Sequence, residues 1–143
     1  MDKVIKFILV IFIALTLLNS CNPSDEKSSL KGSFHLYLVY SNDFYNGLKS
    51  SKTCEDAVNV FEKYIKNLMT IKDDLKILYN NYKEFFDTLN PEKLPGEYME
   101  FKPYVKKLYD LLPDLAVCIA KFEVEEDFKK EYKKYKDFLK GLE

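Results

Sequence analysis

Arginine and tryptophan are absent from the 143 residues, so lysine supplies all 22 basic side chains. Without the planar guanidinium group, the protein cannot form a bidentate clamp on a carboxylate or a phosphate. The four glycines are scattered, which argues against a glycine-rich phosphate loop. Acidic and basic residues nearly balance, at a formal net charge of −1, so no large field of one sign attracts nucleic acid. We therefore expect no nucleic-acid partner.

Histidine is almost absent as well, since His35 is the only one. Zinc sites normally need several histidine or cysteine ligands, and the Glu-x-x-His motif of diiron bundles does not occur. The acidic runs at 73–74 and 125–127 lack the alternating oxygen ligands around a glycine that calcium loops use. A single imidazole without a partner in the sequence does not indicate a Ser-His-Asp triad. The sequence predicts no metal, no cofactor and no catalytic residue, so we expect a protein that is not an enzyme.

The first twenty residues have the layout of a cleavable export signal. Lys3 and Lys6 form a positively charged start, and residues 7–18 are apolar apart from Thr16. This apolar run is too short for a membrane-spanning helix, which needs about 20 such residues. A charged start followed by a short apolar run and small residues is typical of a signal peptide.

Residues 18–21, Leu-Asn-Ser-Cys, resemble the lipobox of bacterial lipoproteins, in which a leucine is followed by two small residues and a cysteine. Leu18, Ser20 and Cys21 match this pattern. Asn19 departs from its commonest form, although the looser boxes of spirochaete lipoproteins admit such residues. The resemblance covers the first 21 residues and says nothing about the rest of the chain. It implies cleavage before Cys21, a diacylglycerol on the Cys21 thiol and acylation of the new amino terminus.

The predicted location is the bacterial cell envelope, where the protein contacts a membrane through its lipid anchor. Acyl chains stabilise such an anchor by about 0.8 kcal/mol for each buried methylene. Residues 22–29 are polar apart from Pro23, so we predict a flexible spacer over 21–32. A secreted protein with Cys21 merely near its cleavage site, and an uncleaved anchor, are the alternatives. Which membrane and which leaflet hold the anchor stays open.

Residues 33–143 are predicted to form one all-α domain, a small antiparallel bundle of about four helices. Apolar residues recur at intervals of three and four, which is one face of a helix. The first such series is Val58, Phe61, Ile65, Leu68, Ile71, Leu75, Leu78, Tyr82, Phe85 and Leu89. Neither proline nor glycine occurs between 54 and 89, which favours one long helix. Two helices meeting near Thr70, with Thr70 capping the second, fit the same spacing.

Two further series predict two more helices. They are Phe101, Val105, Leu108, Leu112, Leu115, Ile119 and Phe122, and then Val124, Phe128, Tyr132, Tyr135, Leu139 and Leu142. Residues 33–48 fit a helix or a strand. We predict a helix, because a strand would have no partner elsewhere in the chain.

Cys54 and Cys118 are the other two cysteines. In an exported protein, an even pair predicts a disulfide. Two buried free thiols are the alternative. A bridge requires the two Cα atoms to lie within about 7 Å, which a simple up-and-down bundle does not obviously provide.

Aromatic residues are plentiful, with 11 tyrosines and 11 phenylalanines. Most fall on the apolar series, but six tyrosines lie off or beside them. These six are Tyr45, Tyr64, Tyr79, Tyr98, Tyr104 and Tyr109. Exposed tyrosines suit an interaction surface, because they offer contact area at a low cost in conformational entropy. The alternative is that they form the rim of a small core.

Two functions fit these observations. The first is a lipid-anchored interaction or structural module without catalysis, which contacts another envelope or host protein. The second is a helical carrier that binds an apolar or amphipathic small ligand. A carrier requires a void of several hundred cubic ångströms between the helices, whereas a solid core would dismiss it. The oligomeric state is not indicated.

Overall fold

The computed structural model describes residues 23–143, with side chains from Ser29 onward. The predicted signal peptide and Cys21 lie outside the described residues. Within them the protein is all-α, as predicted, and has no strand. Six α-helices and two short 3-10 helices follow one another. They are α1 (Pro23–Ser50), α2 (Cys54–Met69), α3 (Lys72–Asn81), α4 (Lys83–Thr88), η1 (Pro91–Lys93), η2 (Gly96–Phe101), α5 (Lys102–Phe122) and α6 (Glu126–Lys140).

Helix α1 includes the ambiguous segment 33–48, so the predicted helix is confirmed there. It begins at Pro23, and the residues from 23 to 32 are therefore helical where a flexible spacer was predicted. Proline is well tolerated in the first turn of a helix, because the amide hydrogen it lacks would have no partner there. Contacts with α3 hold this part of α1 to the domain. The Ser33 hydroxyl donates to the Asp74 carboxylate at 2.5 Å, and Ser29 approaches the same carboxylate at 3.4 Å.

The predicted long helix over 54–89 is broken twice, into α2, α3 and α4. The alternative of two helices meeting near Thr70 describes the first break correctly. Thr70 closes α2 there, since its hydroxyl donates to the Asn67 carbonyl at 2.6 Å, and it does not cap α3. The second break, at Tyr82, was not predicted. Tyr82 leaves the helical conformation with φ −134°, and Leu89 ends α4 in the left-handed region with φ 48°.

A capping box starts α2. The Thr53 hydroxyl accepts a hydrogen bond from the Asp56 amide at 3.1 Å. In return, the Asp56 carboxylate accepts from the amides of Thr53 and Lys52, at 3.0 and 3.1 Å. The backbone hydrogen bond from Thr53 is the largest influence that lowers the pKa of Asp56. These bonds satisfy amides that a helix start otherwise leaves without partners.

Helices α2 and α3 run back along α1 in the opposite direction. The hydroxyls of Ser41 and Tyr64 share a hydrogen bond of 2.9 Å. Ser33, which precedes Ser41 in α1, donates to Asp74, which follows Tyr64 in the chain. Gly47 lies against Val60 at this interface, where a Cβ atom on residue 47 would come within 2.9 Å of the valine side chain. The glycine therefore allows α1 and α2 to approach closely.

Helix α5 runs parallel to α1, as the first and third helices of an up-and-down bundle do, and it packs directly against α1. Lys31 near the start of α1 pairs with Glu100, and Lys49 at its end pairs with Asp114 at 3.0 Å. Helices α2 and α3 bring the chain back to the start of α1, and residues 83–101 stay at that end, so α5 begins there. Phe101 precedes α5, with its ring 5.5 Å from that of Phe34.

Aromatic residues fill the core in two clusters. In the first, Phe34 is 1% exposed, and its ring lies 5.7 Å from that of Phe85. In the second, Phe61 is fully buried between Phe44 and Phe128, at 4.7 and 5.2 Å. Burial of one such side chain contributes about 1.5–3 kcal/mol. None of the helices in the described part of the chain combines the length and the apolarity needed to cross a membrane.

Candidate functional site: a tyrosine-lined cavity

A cavity of about 310 Å³ lies among the helices, bordered by α1, α2, α3, α4 and α6. Two other cavities in the described domain are smaller, at about 120 and 160 Å³. Five of the chain's 11 tyrosines line the large one. We call it the tyrosine cavity, and these residues are Tyr37, Tyr45, Tyr64, Tyr79 and Tyr135.

Helical spacing directs these tyrosines to one place. Tyr37 and Tyr45 are eight residues apart in α1, which is about two turns, so they share one face. Tyr64 projects from α2 and Tyr135 from α6, and their rings lie 5.7 Å apart. Tyr79 approaches from α3, with its ring 6.1 Å from that of Phe86.

Apolar side chains complete the walls. Five leucines line the cavity: Leu68, Leu75, Leu89, Leu139 and Leu142. Leu68 and Leu75 are almost fully buried, whereas Leu139 is 38% exposed and lies at the outer wall. The outer wall belongs to the C-terminal segment 138–143, and α3 supports this wall through a contact of 3.4 Å between the Lys76 ammonium and the Gly141 carbonyl. Most of the interior is therefore apolar.

The polar groups of the interior are phenol hydroxyls. The Tyr64 hydroxyl shares a buried hydrogen bond of 2.9 Å with Ser41. Burial raises the pKa of Tyr37 and Tyr64 well above the ordinary value, and the neighbouring Tyr135 adds to both shifts. Burial also raises the pKa of Tyr45, and that of Tyr135 to about 12. The four hydroxyls thus stay protonated and uncharged at neutral pH.

Charged residues lie only at the mouth of the cavity. Tyr79 donates to the Asp87 carboxylate at 2.8 Å. The Lys83 ammonium donates to the Tyr79 hydroxyl at 2.7 Å and to the Glu143 carboxylate at 3.2 Å. The bond to Tyr79 is the largest influence that raises the pKa of Lys83. Lys140 also borders the mouth. Lys83 thereby links α4 to the end of the chain.

The structure separates the six tyrosines that were predicted to form an interaction surface. Tyr45, Tyr64 and Tyr79 line the cavity instead of the outer surface. Tyr64 is only 4% exposed, which corrects its predicted exposure. Its burial is possible because its hydroxyl bonds to Ser41, so no polar group is left without a partner.

Tyr98 also belongs to the interior and was wrongly predicted to be exposed. It is 4% exposed, and its ring lies 4.6 Å from that of Phe34, because η2 packs across the start of α1. Tyr104 and Tyr109 on α5 are exposed, at 58% and 41%. Only these two of the six stand clearly on the outside.

Sequence reasoning missed Tyr37 and Tyr135 as cavity residues. Tyr135 lies on an apolar series and was assigned to the core. Tyr37 lies with Phe44 and Leu48 on the apolar face of the helix predicted over 33–48, so it too was assigned to the core. The sequence does contain a signal for the cavity, namely tyrosines at apolar positions of several helices, where phenylalanine or leucine is the usual core residue. Sequence alone, however, does not give the gap between helices.

The other predicted site residues lie outside the cavity. His35 is exposed, with its ring 5.7 Å from that of Phe101. Cys54 and Cys118 are free thiols, each half-buried, and do not form the predicted disulfide in this structure. In the described part of the chain, no cluster of three or more histidine, cysteine or acidic residues could hold a metal ion.

Exposed apolar side chains are a second notable feature, along the far half of α5 and in the turn that follows it. Val117 and Val124 are each 71% exposed, and Tyr109 lies two turns before Val117 on the same side. Val124 was predicted to lie on the apolar face of the last helix, but α6 begins only at Glu126. Grouped exposed apolar residues of this kind are often contact sites.

No protein-family model matches the chain, and neither a curated protein nor a solved structure is significantly similar to it.

Proposed function

We propose that this protein is a lipid-anchored component of the bacterial cell envelope whose helical domain binds a small apolar or amphipathic molecule without chemically changing it. The tyrosine cavity carries this proposal, because a carrier requires a void between its helices. Its volume of about 310 Å³ lies at the lower end of the range for small-molecule sites, which is about 300–1,000 Å³.

The groups around the cavity favour binding over catalysis. Interior hydroxyls that hold their protons tightly are poor general acids and bases at neutral pH, where an effective catalytic pKa lies close to the working pH. The charged residues at the mouth bond to one another, as Lys83 does to Glu143 at 3.2 Å. None of the lining residues is a serine, a threonine or a cysteine, the side chains that most often act as nucleophiles.

The lipid anchor is the second part of the proposal. It rests on the sequence around Cys21 and on the acyl chains that such a cysteine receives. Because α1 begins at Pro23, only Asn22 would separate the lipidated residue from the domain. The domain would then lie close to the bilayer surface, where an apolar or amphipathic ligand is also concentrated.

Lipid labelling tests the anchor. Cells that express the full chain are supplied with a labelled fatty acid, and the protein is then isolated. We expect label on the natural chain and on Cys118→Ala, and none on Cys21→Ala. Persistent label on Cys21→Ala would refute the anchor assignment.

A cavity-filling substitution tests the binding function. Leu139→Trp places a larger side chain at the half-exposed outer wall, and Ile77→Trp is the matched control because Ile77 is 42% exposed and does not line the cavity. The full-length protein in lipid nanodiscs is screened with small amphipathic compounds, and its unfolding temperature is followed by circular dichroism.

A ligand at 100 times its Kd stabilises the folded state by about 2.7 kcal/mol. We expect at least one compound to raise the unfolding temperature of the natural chain and of Ile77→Trp by several degrees, and to leave Leu139→Trp unchanged. An equal rise in all three proteins, or no rise in any, would contradict the proposal.

A second candidate function is a protein-interaction module, and the exposed apolar residues in α5 and just after its end favour it. Val117 and Val124 would be covered by an envelope or host protein. Crosslinking on intact cells followed by pull-down would recover that partner. We expect Val117→Lys to abolish the crosslink and Ile77→Lys, a lysine at another exposed position, to preserve it. A crosslink that is unaffected by Val117→Lys would exclude this face.

A further inference from the structure

We infer that the tyrosine cavity selects an uncharged aromatic molecule that carries a hydrogen-bonding oxygen atom, a class to which simple phenols belong. This inference rests on the proposed binding function and adds the chemical class of the ligand. Three features of the cavity lead to it, namely its aromatic walls, its hydroxyl groups and the charge balance at its mouth.

The walls favour a flat ring. Rings of Tyr64 and Tyr135 lie 5.7 Å apart, and the Tyr37 ring lies 5.3 Å from that of Phe86. Aromatic pairs prefer offset or edge-to-face contacts at ring separations of about 4.5–7 Å. A planar ligand ring can make several such contacts at once, whereas a branched aliphatic molecule cannot. The small volume also restricts the ligand to a compact molecule.

The hydroxyls favour a neutral polar group. Phenol hydroxyls both donate and accept hydrogen bonds, so they suit a hydroxyl or carbonyl oxygen on the ligand. Ser41 engages the hydroxyls of Tyr37 and Tyr64. Tyr135 in turn is engaged by Tyr64. Tyr45 is therefore the interior hydroxyl best placed to bond a ligand. No charged side chain lines the deep part of the cavity to pair with a buried ion, and an unpaired buried charge is strongly unfavourable.

The charged residues at the mouth do not favour a charged ligand either. Asp87 and Glu143 are opposed by Lys83 and Lys140, so two negative charges meet two positive ones. An aromatic cage could attract a cation. Here, however, the chain's own Lys83 ammonium already lies 4.7 Å from the centre of the Tyr79 ring. The mouth therefore gives neither a cation nor an anion an advantage.

Three ligands of nearly the same shape test the inference. They are p-cresol, which is neutral, tyramine, which is a cation, and 4-hydroxyphenylacetate, which is an anion. Binding of each to the full-length protein in lipid nanodiscs is measured by isothermal titration calorimetry. We expect p-cresol to bind at least about tenfold more tightly than either charged compound, because each charged compound must lose hydration without gaining a partner.

Two variants test the site itself. In Tyr45→Phe the ring remains and one hydroxyl is lost, so p-cresol should bind about fivefold more weakly. Tyr104→Phe, which removes an exposed hydroxyl outside the cavity, should leave its affinity unchanged. Equal losses in both variants would overturn the assignment of Tyr45.

The outcomes separate this inference from the proposed function. If tyramine or 4-hydroxyphenylacetate binds as tightly as p-cresol, the cavity binds ligands but does not select neutral ones, and the inference fails alone. The inference also fails if none of the three binds although the compound screen yields a ligand blocked by Leu139→Trp. If nothing at all binds, the proposed function fails with it.

Discussion

Gly47 gives a sharp test of how closely α1 and α2 pack. A Cβ atom at this position would lie 2.9 and 3.1 Å from the two methyl carbons of Val60, which is closer than side chains tolerate. In the interior of a helix, alanine is favoured over glycine by about 1 kcal/mol. Overpacking a tight interface costs about 1–3 kcal/mol. We therefore expect Gly47→Ala to lower the free energy of unfolding by about 1 kcal/mol.

Gly32 is the matched control in the same helix. A Cβ atom there meets nothing within 4 Å, so only the helix propensity changes. Gly32→Ala should raise the free energy of unfolding by up to about 1 kcal/mol. The two substitutions, chemically identical and 15 residues apart in α1, should thus differ by about 2 kcal/mol.

Urea unfolding followed by circular dichroism measures both changes, provided that the dependence on urea concentration is the same in each variant. Adding Val60→Ala to Gly47→Ala removes the clash. The double variant should then be less unstable than the sum of its single changes. If Gly47→Ala stabilised the protein as much as Gly32→Ala, the close approach of α1 and α2 would be refuted.

Three further predictions concern the cap, the core and the tyrosines. Thr53→Ala removes the capping hydroxyl of α2 and should cost about 1 kcal/mol in urea unfolding, while Thr53→Ser should cost far less; equal losses would argue against the cap. Phe34→Ala should cost about 3–5 kcal/mol, because the buried ring contacts Phe85 and Tyr98, and a loss below 1 kcal/mol would contradict that packing. Stability should also fall at alkaline pH. Burial raises the pKa of Tyr135 to about 12, above the ordinary value of about 10, so the folded state keeps a proton that the unfolded state loses. The contribution of Tyr135 to the free energy of unfolding is complete below pH 10. It decreases by at most about 1.4 kcal/mol per pH unit up to about pH 12. Tyr135→Phe should make this decline shallower in urea unfolding at successive pH values, and an unchanged decline would contradict the shift.

Helical periodicity predicted much of the fold. The series from Val58 to Leu89 and from Phe101 to Phe122 marks the buried faces of real helices, because each buried position recurs every three or four residues. Helix α6 has acidic residues in its first turn, and Gly141 caps its end. These features are local, so the sequence contains them.

The breaks and the packing of α5 directly against α1 were not predictable in the same way. Tyr82 interrupts the helix without proline or glycine, and the reason is tertiary, since the bend brings Phe85 against Phe34. The parallel run of α5 beside α1 depends on the path of residues 83–101. Such choices are made by packing between distant residues, which periodicity does not describe.

The candidate site was predicted only in part. The sequence singled out Tyr45, Tyr64 and Tyr79 for being off the apolar series, and all three line the cavity. These three border the cavity and not an outer surface, because a residue beside an apolar series can face a gap between helices as well as solvent. Tyr135 illustrates the converse, since a residue on the series can border a void.

The most direct test of the account asks where a bound ligand lies. The ring signals of the tyrosines are followed by NMR while the best compound from the screen is added to the protein. We predict saturable shifts for Tyr45, Tyr64 and Tyr135, with those of Tyr104 and Tyr109 unchanged. Saturable shifts confined to Tyr104 and Tyr109 would place the ligand on the outside of α5 and contradict binding in the tyrosine cavity.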